Sequence, residues 1–502
     1  MTPNTILALP VDGRPVVREQ VQWLVQSAGW TLRVPEVAEL GHLRTPANRD
    51  HLAQWLRDHH AKASALVLSV DMLVYGGLVP SRFIDDDAPS LQTRLALLRE
   101  LKAAQPDRPL YAFAATMRIS NNNVNEEEKL YWSDYGSLIW QWSYCSDRHT
   151  VHADPADKAN ADAAAAAIPK HVQQDYQATR ARNFAINLQL LDLVADSVVD
   201  RLILPQDDTA EYGFNIAERR QLQQQIEARG LAGKVLIYPG ADEVLHTLCA
   251  HVVASVREDP PLKLWMSCSD PAHVEHLHAL YEDRPVLDSV RSQVQAVGAV
   301  LVDDAAQADV VLGVHSQGAE QGDWAMRKAL PQPQDVTQIQ AWLESLTTGA
   351  AVARPLAIAD LAYANGGDPQ LVELLVKRNV LQSLAAYAGW NTASNSLGSL
   401  LAQLVLARGH YEDAANQRNV FLRVAEDWGY QSWRRQVLRD TLRTERAGEP
   451  AWTPQELAAQ AEVIVVPALN DWLAQRGVEW RVCESYLPWD RSFEIGLRLE
   501  AA

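Results

Sequence analysis

Six short apolar runs, separated by helical patterns, constrain what the first half of this chain can fold into. They are "TILALP" (5–10), "TLRVPE" (31–36), "ALVLSV" (65–70), "LYAFAATM" (110–117), "RLILP" (201–205) and "KVLIYP" (234–239). Their near-continuous apolar character suits strands covered on both faces, not strands with one wet face. Between them, 47–60, 90–104 and 215–230 carry helical spacing, and the last ends at Gly230, a residue suited to the left-handed turn that closes a helix. This rhythm predicts an α/β fold of parallel-strand βα units, barrel-like or doubly wound.

Residues 120–200 interrupt the rhythm with a polar, acidic stretch, an Ala-rich segment and a long helix at about 173–197. From residue 260 a second α/β run begins, with strands expected near 299–303, 309–314 and 355–359, and 370–450 reads as mostly helical. The expected organisation is an N-terminal α/β catalytic domain over 1–258 with a helical insertion at 120–200. A second α/β lobe follows over 259–370, and a mostly helical C-terminal region over 371–502 completes the site.

At 502 residues, two or three domains are expected. Hydrophobic residues make up 47% and charged residues 22%, ordinary for a soluble globular protein. The formal charge of −18 argues against nucleic acid or an anionic membrane as partner, because both reward clustered Lys and Arg. No apolar run is long enough to span a bilayer. The N-terminus reads as a first strand entering a polar turn, not as a signal peptide. The four cysteines, Cys145, Cys249, Cys268 and Cys483, lie far apart with no CxxC, which suits free, mostly buried thiols in a reducing cytosol. A cytoplasmic protein is therefore expected, with a homo-oligomer left open. Sixteen tryptophans mostly serve burial, and those near polar motifs are candidates for stacking on sugar rings.

In parallel α/β folds, ligands bind at the carboxyl ends of the strands. Five runs of the first half end in chemically capable residues: Asp12 and Arg14; Asp71, Tyr75 and Arg82; Arg118; Asp207 and Asp208; Asp242 and Glu243. Two adjacent acids cannot both ionise cheaply, so one becomes a proton donor near neutral pH, which is what glycoside hydrolysis requires. Mg²⁺ or Ca²⁺ ligation is the competing use of the same acids, and capping of the following helix by Asp208 or Asp242 is a structural one. Arg14, Arg82 and Arg118 are placed on the same rim, either paired with the acids or free to hold a substrate anion.

The second half adds Asp360 and Asn365 in "ADLAYANGGD", and Trp390 and Asn391 in "YAGWNTASNSLG", where Asn391 and Asn395 are spaced to share a helix face. His315 ends an apolar run and reads as a structural histidine. No dinucleotide or P-loop signature, nucleophile elbow or HExxH occurs.

The stretches "LPVDGRPV", "DMLVYGGLVPSR", "QDDTAEYG", "PGADEV", "ANGGD", "AGWNTASNSLG" and "LPWDRSFE" run in order from residue 9 to 494. Together they resemble the bacterial domain-of-unknown-function family numbered 4127. Locally, "YPGADEV" is similar to the H-x-G-G-D-E segment of the family 20 β-N-acetylhexosaminidases. That resemblance implies Glu243 as acid/base and Asp242 as the residue orienting a substrate 2-acetamido group. Tyr238 stands where that family has His, Ala241 where it has the second Gly, and the pair follows the sixth strand. Asp207-Asp208 resembles the adjacent aspartates of other substrate-assisted hexosaminidases.

The expected function is thus a glycoside hydrolase acting on a small glycoside or oligosaccharide, with Glu243 or Asp208 as acid and Asp242 or Asp207 as stabiliser, and no cofactor. Asp12, Asp71 and Arg118 would hold hydroxyls, with Tyr75 and Trp390 as shape-defining faces. The alternatives are a Mg²⁺- or Mn²⁺-dependent enzyme using Asp207, Asp208, Asp242 and Glu243 as ligands, and a two-lobed sugar-binding protein without chemistry.

Overall fold

The computed structural model describes residues 4–325, 327, 335–351, 354–445 and 452–502. Its Cα packing divides the chain into two compact units. One holds 1–13, 30–248 and 281–284; the other holds 14–29, 249–280 and 285–502. Neither is a contiguous stretch of sequence.

The first unit is built on six parallel strands: β1 (Thr5–Leu9), β2 (Thr31–Arg33), β3 (Ala65–Ser69), β4 (Leu110–Phe113), β5 (Arg201–Gln206) and β6 (Val235–Pro239). They lie in the order β2-β1-β3-β4-β5-β6 and leave the sheet open, so the doubly wound alternative holds and the barrel does not. The apolar runs are continuous for the reason given above: β3 and β4 have no exposed residue. Leu52 and Leu56, Leu91 to Leu101, Ile186 to Val194, and Leu222 and Ile226 pack with the strands into one core. Each fully buried leucine contributes roughly 1.5–3 kcal/mol.

The 120–200 interruption is helical, as expected, with helices Trp132–His152, Pro155–Ala167 and Lys170–Ala195. A smaller core of its own joins Met117, Ile119, Trp132, Ile139, Ile168, Val172 and Tyr176.

The second unit repeats the winding. Its sheet contains β7 (Lys263–Cys268), β8 (Val300–Leu301), β9 (Val310–His315), β11 (Leu356–Asp360) and β13 (Leu384–Ala388), ordered β8-β7-β9-β11-β13 and parallel throughout. A short parallel pair, β10 (Gly322–Asp323) and β12 (Tyr363–Ala364), sits apart from it. The helical C-terminal region belongs to this unit. Val420, Phe421, Leu469 and Leu473 share a core with Val311, Ile358 and Leu384. The expected run of helices is broken by β13, and the chain closes with an antiparallel pair, β14 (Trp480–Tyr486) and β15 (Gly496–Ala501), that the sequence pattern did not reveal. Residues 424–434 form a π-helix, a rare element that elsewhere accompanies functional sites.

Candidate functional site

In the first unit, β1, β3, β4, β5 and β6 are adjacent and parallel, so their carboxyl ends share one edge of the sheet. The strand order reverses between β1 and β3, where open parallel sheets form a crevice. Asp12 follows β1 and is buried. After β3 the chain turns at once into a short helix, Val70–Tyr75, capped by the Ser69 hydroxyl and closed by Gly76 at φ 82°. Gly76 also meets the 46–47 backbone so closely that a Cβ there would lie 2.9 Å from Ala47 N. This helix places Asp71 in its first turn and Tyr75 in its last, both buried.

Asp71 Oδ2 accepts the Ala115 N–H at 2.9 Å. Burial pushes the Asp71 carboxyl up to about 7, with the Asp207 charge adding and the Ala115 N–H and Arg82 opposing. The Tyr75 phenol is held well above its ordinary value by burial and the Asp71 charge.

Arg82 and Arg118 join the acids after β5, as the rim reading expects. Arg82 Nη2 donates to Asp207 Oδ2 at 2.7 Å, and Arg118 Nη1 to Asp208 Oδ2 at 2.7 Å. Two further acids, unrecognised as site residues in the sequence, complete the cluster. Glu128 Oε1 accepts from Arg118 Nε at 2.8 Å and from Arg82 Nη1 at 3.4 Å. Glu127 Oε2 lies 3.0 Å from Arg118 Nη2 and 3.3 Å from Arg82 Nη1. The "EEE" run at 126–128 was the signal available; isolated from its arginines it reads as a solvated stretch.

Asp208 has φ 28°, a left-handed backbone that non-glycine residues rarely adopt. Its side chain is 26% exposed, the most accessible of the acids paired with the two arginines. Burial raises its carboxyl to about 6, the charges of Asp207 and Glu127 adding and Arg118 opposing. Asp208 does not cap the next helix, which starts at Phe214 behind Gly213.

Asp242 and Glu243 follow β6 and are both buried, Glu243 to 1% exposure. Gly240, at φ 108°, lets the Glu243 carboxylate fold back onto it; a Cβ there would stand 2.8 Å from Glu243 Oε2. Burial, and then the Glu243 charge, hold the Tyr238 phenol well above its ordinary range.

The remaining predicted residues belong to the second unit. Arg14 is buried; its Nη1 pairs with Glu494 at 3.3 Å and its guanidinium covers the Trp489 ring. Asp360 ends β11, and its Oδ2 accepts from the Tyr387 hydroxyl at 2.9 Å and from Asp368 N at 2.7 Å. His315 ends β9, fully buried, with Nε2 2.9 Å from Asp368 Oδ2 and Nδ1 2.9 Å from Ser269 Oγ. Burial works against the imidazolium, but Asp368 and Asp360 hold its pKa above the ordinary value. Burial raises the Asp360 carboxyl to about 6, with His315 opposing.

Asn365 N donates to Asn391 O at 2.9 Å, and Asn365 Nδ2 to Asp323 Oδ2 at 3.0 Å. Asn391 does not share a helix face with Asn395. It stands outside the helix Ala393–Leu406 at φ 61°, and Thr392 is the cap. Trp390 is buried, and its carbonyl accepts from Ser396 Oγ at 2.7 Å.

Arg423 and the π-helix form a further part of this network, one that no motif or spacing announced. Asp427 Oδ2 accepts Gly389 N at 2.8 Å and lies 2.9 Å from Arg423 Nη2, while Arg423 Nη1 donates to Gln20 Oε1 at 2.8 Å. Burial raises the Glu426 carboxyl to about 8, with Arg423 opposing and Asp427 adding.

Glu426 therefore carries a pH signature. Its folded pKa lies above the ordinary carboxylate value, so the folded state keeps a proton that the unfolded chain has lost. Stability from this group is complete in acid and is lost as pH rises towards about 8. Denaturation midpoints of the protein are expected to fall between about pH 5 and 8, and Glu426→Gln is expected to flatten that slope; an unchanged slope would remove Glu426 as its source.

Gly367 allows the close packing here: a Cβ on it would overlap the Tyr387 hydroxyl and lie 3.0 Å from Asp360 Oδ2. Gly367→Ala is expected to cost about 1–3 kcal/mol of stability by overpacking, measurable as a lower denaturant midpoint.

Among the described residues, no three His, Cys, Asp or Glu side chains are arranged to hold a metal ion, so Asp207, Asp208, Asp242 and Glu243 do not form the ligand set considered above. Asp207 and Asp208 each turn an oxygen to a guanidinium instead, whose charge opposes a cation at that atom. Nor, among the described residues, is any helix long and apolar enough to cross a membrane. No curated protein matches the chain. The ordered motifs do have a family counterpart: the match spans residues 6–498, and the chain belongs to the family described as Protein of unknown function (DUF4127).

Proposed function

We propose that the protein is a glycoside hydrolase whose acid is Asp208, working beside Asp207 at the carboxyl end of β5. The observation that carries this reading is the contrast within the pair. Asp208 is raised to about 6 and partly exposed, while Asp207 lies against Arg82. A carboxyl raised towards neutrality beside a second acid is the division of labour glycoside hydrolysis uses. Asp208 gives its proton to the glycosidic oxygen as the bond to the anomeric carbon breaks. The Asp207 carboxylate faces the positive charge that develops on that carbon. Water then adds its oxygen to the carbon and leaves its proton on a carboxylate. Glu243, at 1% exposure, is less able than Asp208 to meet a substrate.

The test is a panel of aryl glycosides assayed with and without EDTA across pH. Hydrolysis that survives EDTA and falls as pH rises through about 6 supports the reading, because the acid must be protonated to act. Turnover that requires added Mg²⁺ or Mn²⁺ overturns it in favour of a metal-dependent enzyme.

A further inference from the structure

We infer that Glu127 and Glu128 are positioning residues for Asp208: they occupy Arg118, so that it orients the Asp208 carboxyl without drawing off its proton. The inference rests on the reading of Asp208 as the acid.

Arg118 Nη1 donates to Asp208 Oδ2 at 2.7 Å, which leaves Oδ1 to carry the proton. A guanidinium so close ordinarily lowers a carboxyl's pKa by about 1–3, and a carboxyl so lowered is a poor acid at neutral pH. Asp208 is nevertheless raised to about 6, because burial and the charges of Asp207 and Glu127 outweigh Arg118 and Arg82. The geometry shows how Arg118 is occupied. Its Nε faces Glu128 Oε1 at 2.8 Å and its Nη2 faces Glu127 Oε2 at 3.0 Å, so each of its nitrogens has a carboxyl partner of its own. Arg82 is held in the same way. Its Nη1 faces the two glutamates at 3.3 and 3.4 Å, and its Nη2 holds Asp207 at 2.7 Å. Two glutamates thus stand against two guanidiniums, and each guanidinium keeps one nitrogen for one aspartate.

A second set of contacts fixes this frame from outside. Arg44 donates to the carbonyls of Asn125 and Glu128 and lies over the ring of Phe83, the neighbour of Arg82. Arg180 and Arg182, on the helix Lys170–Ala195, donate to the carbonyls of Met117 and Ser81, the residues just before Arg118 and Arg82. The 120–200 insertion therefore supplies both the glutamates and the helix that holds the backbones of the two arginines. Glu128 is only 4% exposed, so solvent screens its charge little. The other titratable groups within reach of the frame are Asp71, which faces Asp207, and Tyr131 and Tyr176, which face Glu128.

The experiment measures kcat and KM for an aryl glycoside between pH 5 and 8 on wild type, Glu127→Gln and Glu128→Gln. Glutamine keeps the shape and one acceptor but removes the charge, so Arg118 draws more strongly on the Asp208 proton. The fall of kcat with rising pH is expected to move down by about one pH unit. That lowers kcat about tenfold at pH 7, with the deficit narrowing towards pH 5 and KM little changed. A merely structural role would lower the unfolding midpoint and the rate at every pH without moving the fall. Asp208 is read separately by carbon-13 carboxyl NMR titration of aspartate-labelled protein, with Asp208→Asn identifying its resonance. An Asp208 midpoint unmoved in both folded variants overturns the inference. A midpoint that moves down supports it. If the midpoint moves and the fall of kcat does not, or if no glycoside is hydrolysed by wild type, the glutamates keep their hold on the proton and the hydrolase assignment of Asp208 is sunk. Should Glu128→Gln not fold, Glu127→Gln, whose side chain is 17% exposed, decides.

Discussion

Asp208→Asn is expected to lower glycoside hydrolysis by at least about 10²-fold, the usual consequence of removing a general acid. The amide keeps the shape and one acceptor for Arg118 Nη1, while Glu127 still holds Arg118 Nη2 and Glu128 its Nε. The fold should therefore survive, and circular dichroism and thermal unfolding close to wild type would separate lost chemistry from lost structure. Asp208→Glu should recover part of the rate and shift the fall at high pH, since the carboxyl remains but its separation from Arg118 changes. Activity of Asp208→Asn within about threefold of wild type would remove Asp208 from the acid's role. Glu243→Gln would then be the variant to examine.

The second large effect concerns stability. Arg423→Ala is expected to cost about 3–5 kcal/mol, because breaking a buried ion pair leaves its partner's charge uncompensated. Arg423 is the fixed cation between Asp427 and Gln20, and burial has already raised Glu426 and Asp427, the latter to about 6, against its influence. Because those acids can protonate, the penalty should be smaller near pH 5 than at pH 8. Arg423→Met, an apolar replacement of similar reach, should be as damaging as alanine if charge dominates. A chemical denaturation midpoint unchanged in both variants would show that the network contributes nothing to stability.

Much of the first unit was legible because it consists of strands buried on both faces. Such strands leave uninterrupted apolar runs, and each of the six coincides with a strand to within a few residues. The strand-end acids were legible for the same reason: parallel topology sends all five carboxyl ends to one edge. What was not legible depends on side chains meeting across long separations. Glu127 and Glu128 acquire meaning only beside Arg82 and Arg118. Asn391 read as helical from its spacing, but its left-handed backbone places it one residue before the cap. The strand at 384–388 was lost among helices because five apolar residues have no period that separates strand from buried helix. Over 11 residues the π-helix cannot be told by spacing from the α-helices around it, so the partners of Glu426 and Asp427 could not be read from the sequence.

The division of the chain has a consequence for how it is made. The helix Glu19–Ser27 emerges early in synthesis, yet Gln20 finds its partner Arg423 only 403 residues later. At ribosomal speeds of about 5–20 residues per second, that helix waits roughly 20–80 s with an unmatched apolar face. The chain passes between units at 13/14, 29/30, 248/249, 280/281 and 284/285, so no single cut releases either one. Vectorial folding can lay down the first sheet, but the second unit closes only after the last strand has been translated. A protein threaded in this way resists dissection into modules.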